Sequence, residues 1–200
     1  VVLEISNDID MKSEPIGIDL VSSKTSVKSL TINGNNKTIS DLAVKTAATN
    51  DPSGPIGAGY SNYYGTGFIQ RVDGSQELNI NDLTFDGAVI NDEGMNINDD
   101  NHTSGVAIVV GINYGKTYLN NVNVLNSSVY GGEKVAAFIG YAPGAVSSMI
   151  NCSVCNTSVT GYACFVATAV GYCSVNNAPI IQNLKLENNT LSIDRDAEYN

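Results

Sequence analysis

The chain has no Trp, one His, four Cys and only ten basic residues among its 200. Charged residues make up 15% of the sequence, against roughly 25% in an average globular protein. Ten Lys and Arg against twenty Asp and Glu give a net charge of −10, so no basic footprint is left for nucleic acid, and we exclude that partner. No run of about 18 apolar residues occurs, which excludes a membrane-spanning helix and membrane insertion.

The sequence is rich in small and uncharged polar residues instead of charged ones. The sequence holds 25 Asn, 19 Ser, 13 Thr and 19 Gly, a composition that suits strands and turns better than long helices. At 21.0 kDa the chain is the size of one domain with a real core. Its acidic character is concentrated in residues 51–104, where nine acids accompany Arg71 as the sole basic residue.

Internal repeats are the strongest signal in the sequence. Residues 80–90, 119–129, 149–159 and 181–191 superpose without gaps, at successive offsets of 39, 30 and 32 residues. A fifth segment, 30–39, fits with a longer turn. A repeat of this length is one supersecondary unit of a repetitive fold and not a domain.

The columns of this alignment carry physical meaning. Two apolar columns stand two residues apart with polar residues between them, which indicates a strand with one buried face. Their members are Leu30, Leu83, Val122, Cys152 and Leu184, and then Ile32, Phe85, Val124, Val154 and Leu186. Two residues further on, every member tolerates the left-handed backbone region, so we predict a fixed turn. That column holds Gly34, Gly87, Asn126, Asn156 and Asn188.

A short strand is predicted after each turn, beginning around Ile90, Val129, Val159 and Leu191. A second family of strands precedes each repeat, at residues 67–71, 108–112, 137–141 and 168–172. If equivalent strands of successive repeats pair in parallel, like residues stack into ladders and bury a continuous core.

The predicted fold class is therefore all-β: a single right-handed parallel β-helix, a pectate-lyase-like solenoid of about five to six coils. We expect residues 1–29 to form an N-terminal capping region, residues 30–192 the coils and residues 193–200 a polar tail. Helix is poorly supported, and residues 39–49 are interpreted as a capping turn. An antiparallel β-sandwich is the alternative, although hairpin signals at short spacing are missing.

Several motifs resemble those of bacterial cell-surface β-helix proteins with GLUG-type repeats. They occur here in the order Asn7-Asp-Ile-Asp10, Pro15-Ile-Gly17, Asn33-Gly-Asn-Asn-Lys-Thr-Ile39, Phe138-Ile-Gly-Tyr141, Ile150-Asn-Cys-Ser-Val154 and Ala169-Val-Gly-Tyr172. The resemblance covers roughly residues 5–192. It implies a secreted protein at the bacterial cell surface, with flanking domains in a longer chain and an adhesin-like or scaffold role, but no established activity.

The leading hypothesis for function is a non-catalytic extracellular module that binds an unknown host or matrix glycan or protein through inserted loops. The alternative is a polysaccharide-active lyase or hydrolase on a β-helix. That chemistry needs carboxyl groups on both sides of the scissile bond. The one dense cluster, Asp99, Asp100 and His102, falls within a single acidic segment, so we interpret it as a solvated loop and assign no catalytic residue.

Two candidate binding sites follow from the sequence. Tyr60, Tyr63 and Tyr64 lie in the longest break between repeats, where tyrosines either stack on sugars or a partner or cover an apolar stripe of the fold. Calcium is the only candidate cofactor, because one acidic segment offers several carboxylate and amide oxygens. The ligands would be Asp92, Asn96, Asn98 and Asp100.

The four cysteines crowd one repeat. Cys152 falls in an apolar column, where it acts as a small buried hydrophobe. Cys152 and Cys155 face opposite sides of an extended strand and should not bridge each other. Free thiols are the favoured interpretation for all four, including Cys164 and Cys173, with a Cys155–Cys164 disulfide and a metal site as alternatives.

Overall fold

A computed structural model describes residues 1–12, 18–20, 26–45, 65–92, 105–143, 146–162, 165–174 and 176–194. All regular secondary structure in these ranges is β-strand. The described part of the chain is therefore all-β, as predicted. Across the same ranges we find no helix whose length and apolarity would let it cross a membrane.

The strands in the described ranges form four sheets. Sheet 1 contains β1 (Val2–Glu4), β2 (Ile9–Asp10), β4 (Ser29–Ser40), β7 (Glu77–Asp86), β11 (Lys116–Leu125), β15 (Val146–Ile150), β16 (Ser153–Cys155), β19 (Ile180–Gln182) and β20 (Lys185–Glu187). Sheet 2 contains β3 (Ile18–Leu20), β6 (Ile69–Val72), β10 (Val110–Asn113), β14 (Ile139–Ala142) and β18 (Val170–Cys173). Sheet 3 contains β5 (Ala43–Lys45), β8 (Val89–Asn91), β12 (Ser128–Gly131), β17 (Ser158–Gly161) and β21 (Thr190–Ile193). Sheet 4 is the pair β9 (Val106–Ala107) and β13 (Val135–Ala136).

All pairings between these strands are parallel, and the chain visits the sheets in a repeating order. From β6 in sheet 2 it passes to β7 in sheet 1 and β8 in sheet 3, and each later unit repeats this path. Val124 pairs with Phe85 on one side and with Val154 on the other, and Val154 pairs with Leu186. The predicted column of these residues is confirmed, and antiparallel pairing is absent among the described strands.

The inward columns form the core. Along β11, buried residues alternate with exposed or half-exposed ones on either side of Asn120 and Asn121, as expected for a strand with one face inside. Phe85, Val124 and Val154 are fully buried, and each such side chain contributes about 1.5–3 kcal/mol of burial free energy. On the outer side, polar residues of successive units contact each other, and Ser153 Oγ donates to Asn123 Oδ1 at 2.6 Å.

Two columns of left-handed residues bend each unit. The predicted turn column is confirmed at four of its five members, Gly87, Asn126, Asn156 and Asn188, all of which have positive φ. A second column escaped the sequence analysis and consists of Asp82, Asn121, Asn151 and Asn183, with φ between 51° and 56°. Their side chains connect units, since Asn121 Nδ2 donates to Asp82 Oδ1 at 2.8 Å and Asn183 Nδ2 to Asn151 Oδ1 at 2.9 Å.

The predicted alignment of the first repeat is wrong. The partner of Phe85 is Ile39, whereas Leu30 and Ile32 pair with Leu78 and Ile80, one segment earlier in the unit. The cause is an irregularity between Asn33 and Lys37, where extra residues shift the register.

The turn of this unit therefore lies at Asp41, whose φ is 52°, and not at Gly34. Gly34 serves a close approach instead, because a Cβ there would lie 2.7 Å from Leu83 Cα. The capping turn expected over residues 39–49 is also wrong for its described part, since β4 extends to Ser40 and β5 covers Ala43–Lys45.

A polar cluster interrupts the apolar interior between sheets 1 and 2. Asn113, Thr117 and Ser147 are buried, and Asn113 Nδ2 donates to Ser147 Oγ at 3.1 Å. Within the described part of the chain, Asn113 Oδ1 and Thr117 Oγ1 have no hydrogen-bond partner. A buried polar atom left in this state destabilises the folded chain.

We expect Thr117→Val to raise the free energy of unfolding by about 1 kcal/mol, because valine keeps the shape and removes the unpaired hydroxyl. Thr157→Val is the matched control. Thr157 is equally buried, but its Oγ1 donates to Cys155 O at 3.1 Å, so that variant should lose about 1 kcal/mol. Urea denaturation of both variants measures the difference, and a destabilised Thr117→Val would contradict the prediction.

Candidate functional site

Three tyrosines line up across neighbouring units of sheet 2. Tyr141 in β14 and Tyr172 in β18 are register partners, and their ring centroids are 5.2 Å apart. Tyr114, directly after β10, lies 6.3 Å from Tyr141 with the rings at 84°. Parallel pairing places Tyr141 and Tyr172 side by side, whereas Tyr114 lies two residues after Ile112, the register partner of Tyr141. We call Tyr114, Tyr141 and Tyr172 the tyrosine row.

Each ring of the tyrosine row also contacts a side chain from outside the row. Arg71 Cζ lies 5.1 Å from the centroid of Tyr114, and Lys134 Nζ lies 5.1 Å from that of Tyr141. Both distances are within the range of cation–π attraction. The third neighbour is Phe165, whose centroid lies 5.1 Å from Tyr172 with the rings at 85°.

The two cations are enclosed and charge-balanced. Arg71 forms an ion pair with Asp73 at 2.7 Å and Lys134 with Glu133 at 2.8 Å. Their side chains are only 14% and 8% exposed, respectively. These contacts hold Arg71 and Lys134 against the rings of the tyrosine row. Little of either cationic side chain is therefore accessible to a ligand.

Phe165 differs from Lys134 although both occupy the same place in successive units. Lys134 O accepts from Val106 N, and Phe165 O accepts from Val135 N, each at 3.1 Å. Both residues have left-handed backbones, with φ of 53° and 58°. Lys134 is buried, whereas Phe165 is 47% exposed. A bulky side chain at positive φ is an uncommon and unfavourable choice.

A second aromatic pair lies on sheet 3. The rings of Tyr130 and Tyr162 are 5.0 Å apart at 71°, and Tyr130 Oη donates to Asp194 Oδ2 at 3.5 Å. Burial raises the pKa of Tyr130, and Tyr162 and Asp194 raise it further. The phenol therefore stays protonated at neutral pH and acts as a hydrogen-bond donor, not as a base.

The binding residues predicted from the sequence fall largely outside the described residues. This is so for Tyr60, Tyr63 and Tyr64, and equally for Asn96, Asn98, Asp100 and the neighbouring Asp99 and His102. Asp92 is described: it is buried after β8, and its backbone N donates to Tyr130 O at 3.0 Å. In the ranges given above, no group of three or more His, Cys, Asp or Glu could hold a metal ion. The tyrosine and calcium sites both stay predictions.

Cys152 behaves as the small buried hydrophobe that the sequence predicts, whereas Cys155 and Cys173 are half-buried. Cys152 is buried in its column, and burial raises the pKa of its thiol, so the reactive thiolate is disfavoured. Cys152, Cys155 and Cys173 are free. The alternative Cys155–Cys164 disulfide involves Cys164, which lies outside the described residues.

Sequence reasoning missed the tyrosine row, although a signal for it existed. The repeated Gly-Tyr pairs at residues 140–141 and 171–172 already placed two tyrosines at one position of successive units. Parallel stacking of that position predicts a ring contact. No comparable signal marks Phe165. Its exposure follows from the position of its unit at the edge of sheet 2, where residues 166–170 are partly exposed although their equivalents 135–139 are fully buried.

Comparison of the chain with protein-family models, curated proteins and solved structures found no match. Fold and residue chemistry are therefore the basis for a function: an all-β chain of parallel sheets with an aromatic row on sheet 2.

Proposed function

We propose that this chain is a non-catalytic extracellular adhesin-like or scaffold module of a bacterial surface protein. In this proposal its units are coils of a single right-handed parallel β-helix, about five to six in number. The repeating order of sheets and the conserved register from Ile39 through Phe85, Val124, Val154 and Leu186 support the helix. The right hand follows the usual rule for parallel crossovers. The resemblance to proteins with GLUG-type repeats supports the location.

A binding role rests on one observation, the tyrosine row that ends in the exposed ring of Phe165. Aromatic rings on a rigid sheet offer contact area at a low cost in conformational entropy. Acids near this row are occupied by ion pairs, as Asp73 is by Arg71 and Glu133 by Lys134. Paired carboxylates of this kind suit a binding surface better than the acid and base of a glycosidase.

The test is a glycan array probed with the full chain, together with an array of matrix proteins. We expect selective binding to at least one glycan or protein. We also expect no new reducing ends or unsaturated products when the chain is incubated with the glycans that it binds. Turnover of a polysaccharide would contradict the proposal and support the enzyme alternative, and a chain that binds nothing on either array would contradict the binding role.

A further inference from the structure

We draw no further inference here: the strongest candidate, the exposed apolar surface at the two ends of sheet 1, with Leu3 and Ile9 at one end and Ile181 and Leu186 at the other, is an unpartnered face, and nothing in the described part of the chain shows what covers it.

Discussion

Replacing Gly140 with alanine is expected to lower the free energy of unfolding by about 3 kcal/mol, because the new methyl group would overlap the backbone of an adjacent segment. A Cβ on Gly140 would collide with Val106 N and lie 2.7 Å from both Gly105 C and Lys134 O. All of these are main-chain atoms and cannot rotate away as a side-chain end could. The melting temperature should fall by roughly 10 °C for a chain of this size.

Gly74→Ala is the matched control for this prediction. Gly74 is exposed, has no positive φ, and its Cβ would find nothing closer than Tyr114 O at 3.8 Å. That variant should stay within about 0.5 kcal/mol of the wild type. Urea denaturation followed by circular dichroism compares the two, and equal stability of both variants would show that the segments of sheets 2 and 4 do not approach each other as described.

The same close approach recurs at Gly111 and Gly171, and it explains why glycine repeats in this column. A Cβ on Gly111 would lie 2.5 Å from Thr66 N, and one on Gly171 would lie 2.6 Å from Lys134 C. The sequence analysis located the strands that contain these glycines, at residues 108–112, 137–141 and 168–172. The reason for glycine is a contact between segments of different units, and only the three-dimensional arrangement reveals it.

The inward columns could be predicted from the sequence because parallel pairing repeats one local pattern. Val122 and Val124 face the core because they pair in register with Leu83 and Phe85, which are also buried. The alternation of apolar and polar residues and the repeat length were therefore sufficient to predict these columns. The first unit could not be placed in this way. Its extra residues after Asn33 shift the register within a strand, and an alignment that follows residue types places Leu30 one segment too late.

The candidate site was predictable only in part. Tyr141 and Tyr172 stand at one position of the repeat, and their contact follows from the same stacking as the core columns. The neighbours of the rings do not follow, because Arg71, Lys134 and Phe165 belong to other segments and different residue types fill equivalent places. The repeat therefore predicts where the tyrosines stand. It does not predict the side chains beside them, because these differ from one unit to the next.

Phe85→Ala is the second variant for which we expect a large loss of stability, about 4 kcal/mol. Phe85 is fully buried between Ile39 and Val124 in one column, and its ring meets that of Phe68 edge to face at 5.2 Å. Alanine would remove this contact and leave a cavity that neighbours fixed by pairing on both sides cannot close.

Phe165→Ala removes the same atoms from a half-exposed site and is the control for Phe85→Ala. The ring of Phe165 is 47% exposed and contacts that of Tyr172, so its loss should cost less than about 1 kcal/mol. Urea denaturation measures the loss of unfolding free energy in each variant. Because both variants replace Phe by Ala, the difference between their losses reports the effect of burial alone. Similar losses would mean that the column through Phe85 does not form the centre of the fold. A large difference would show that the inner columns, and not the outer row, carry the stability of the fold.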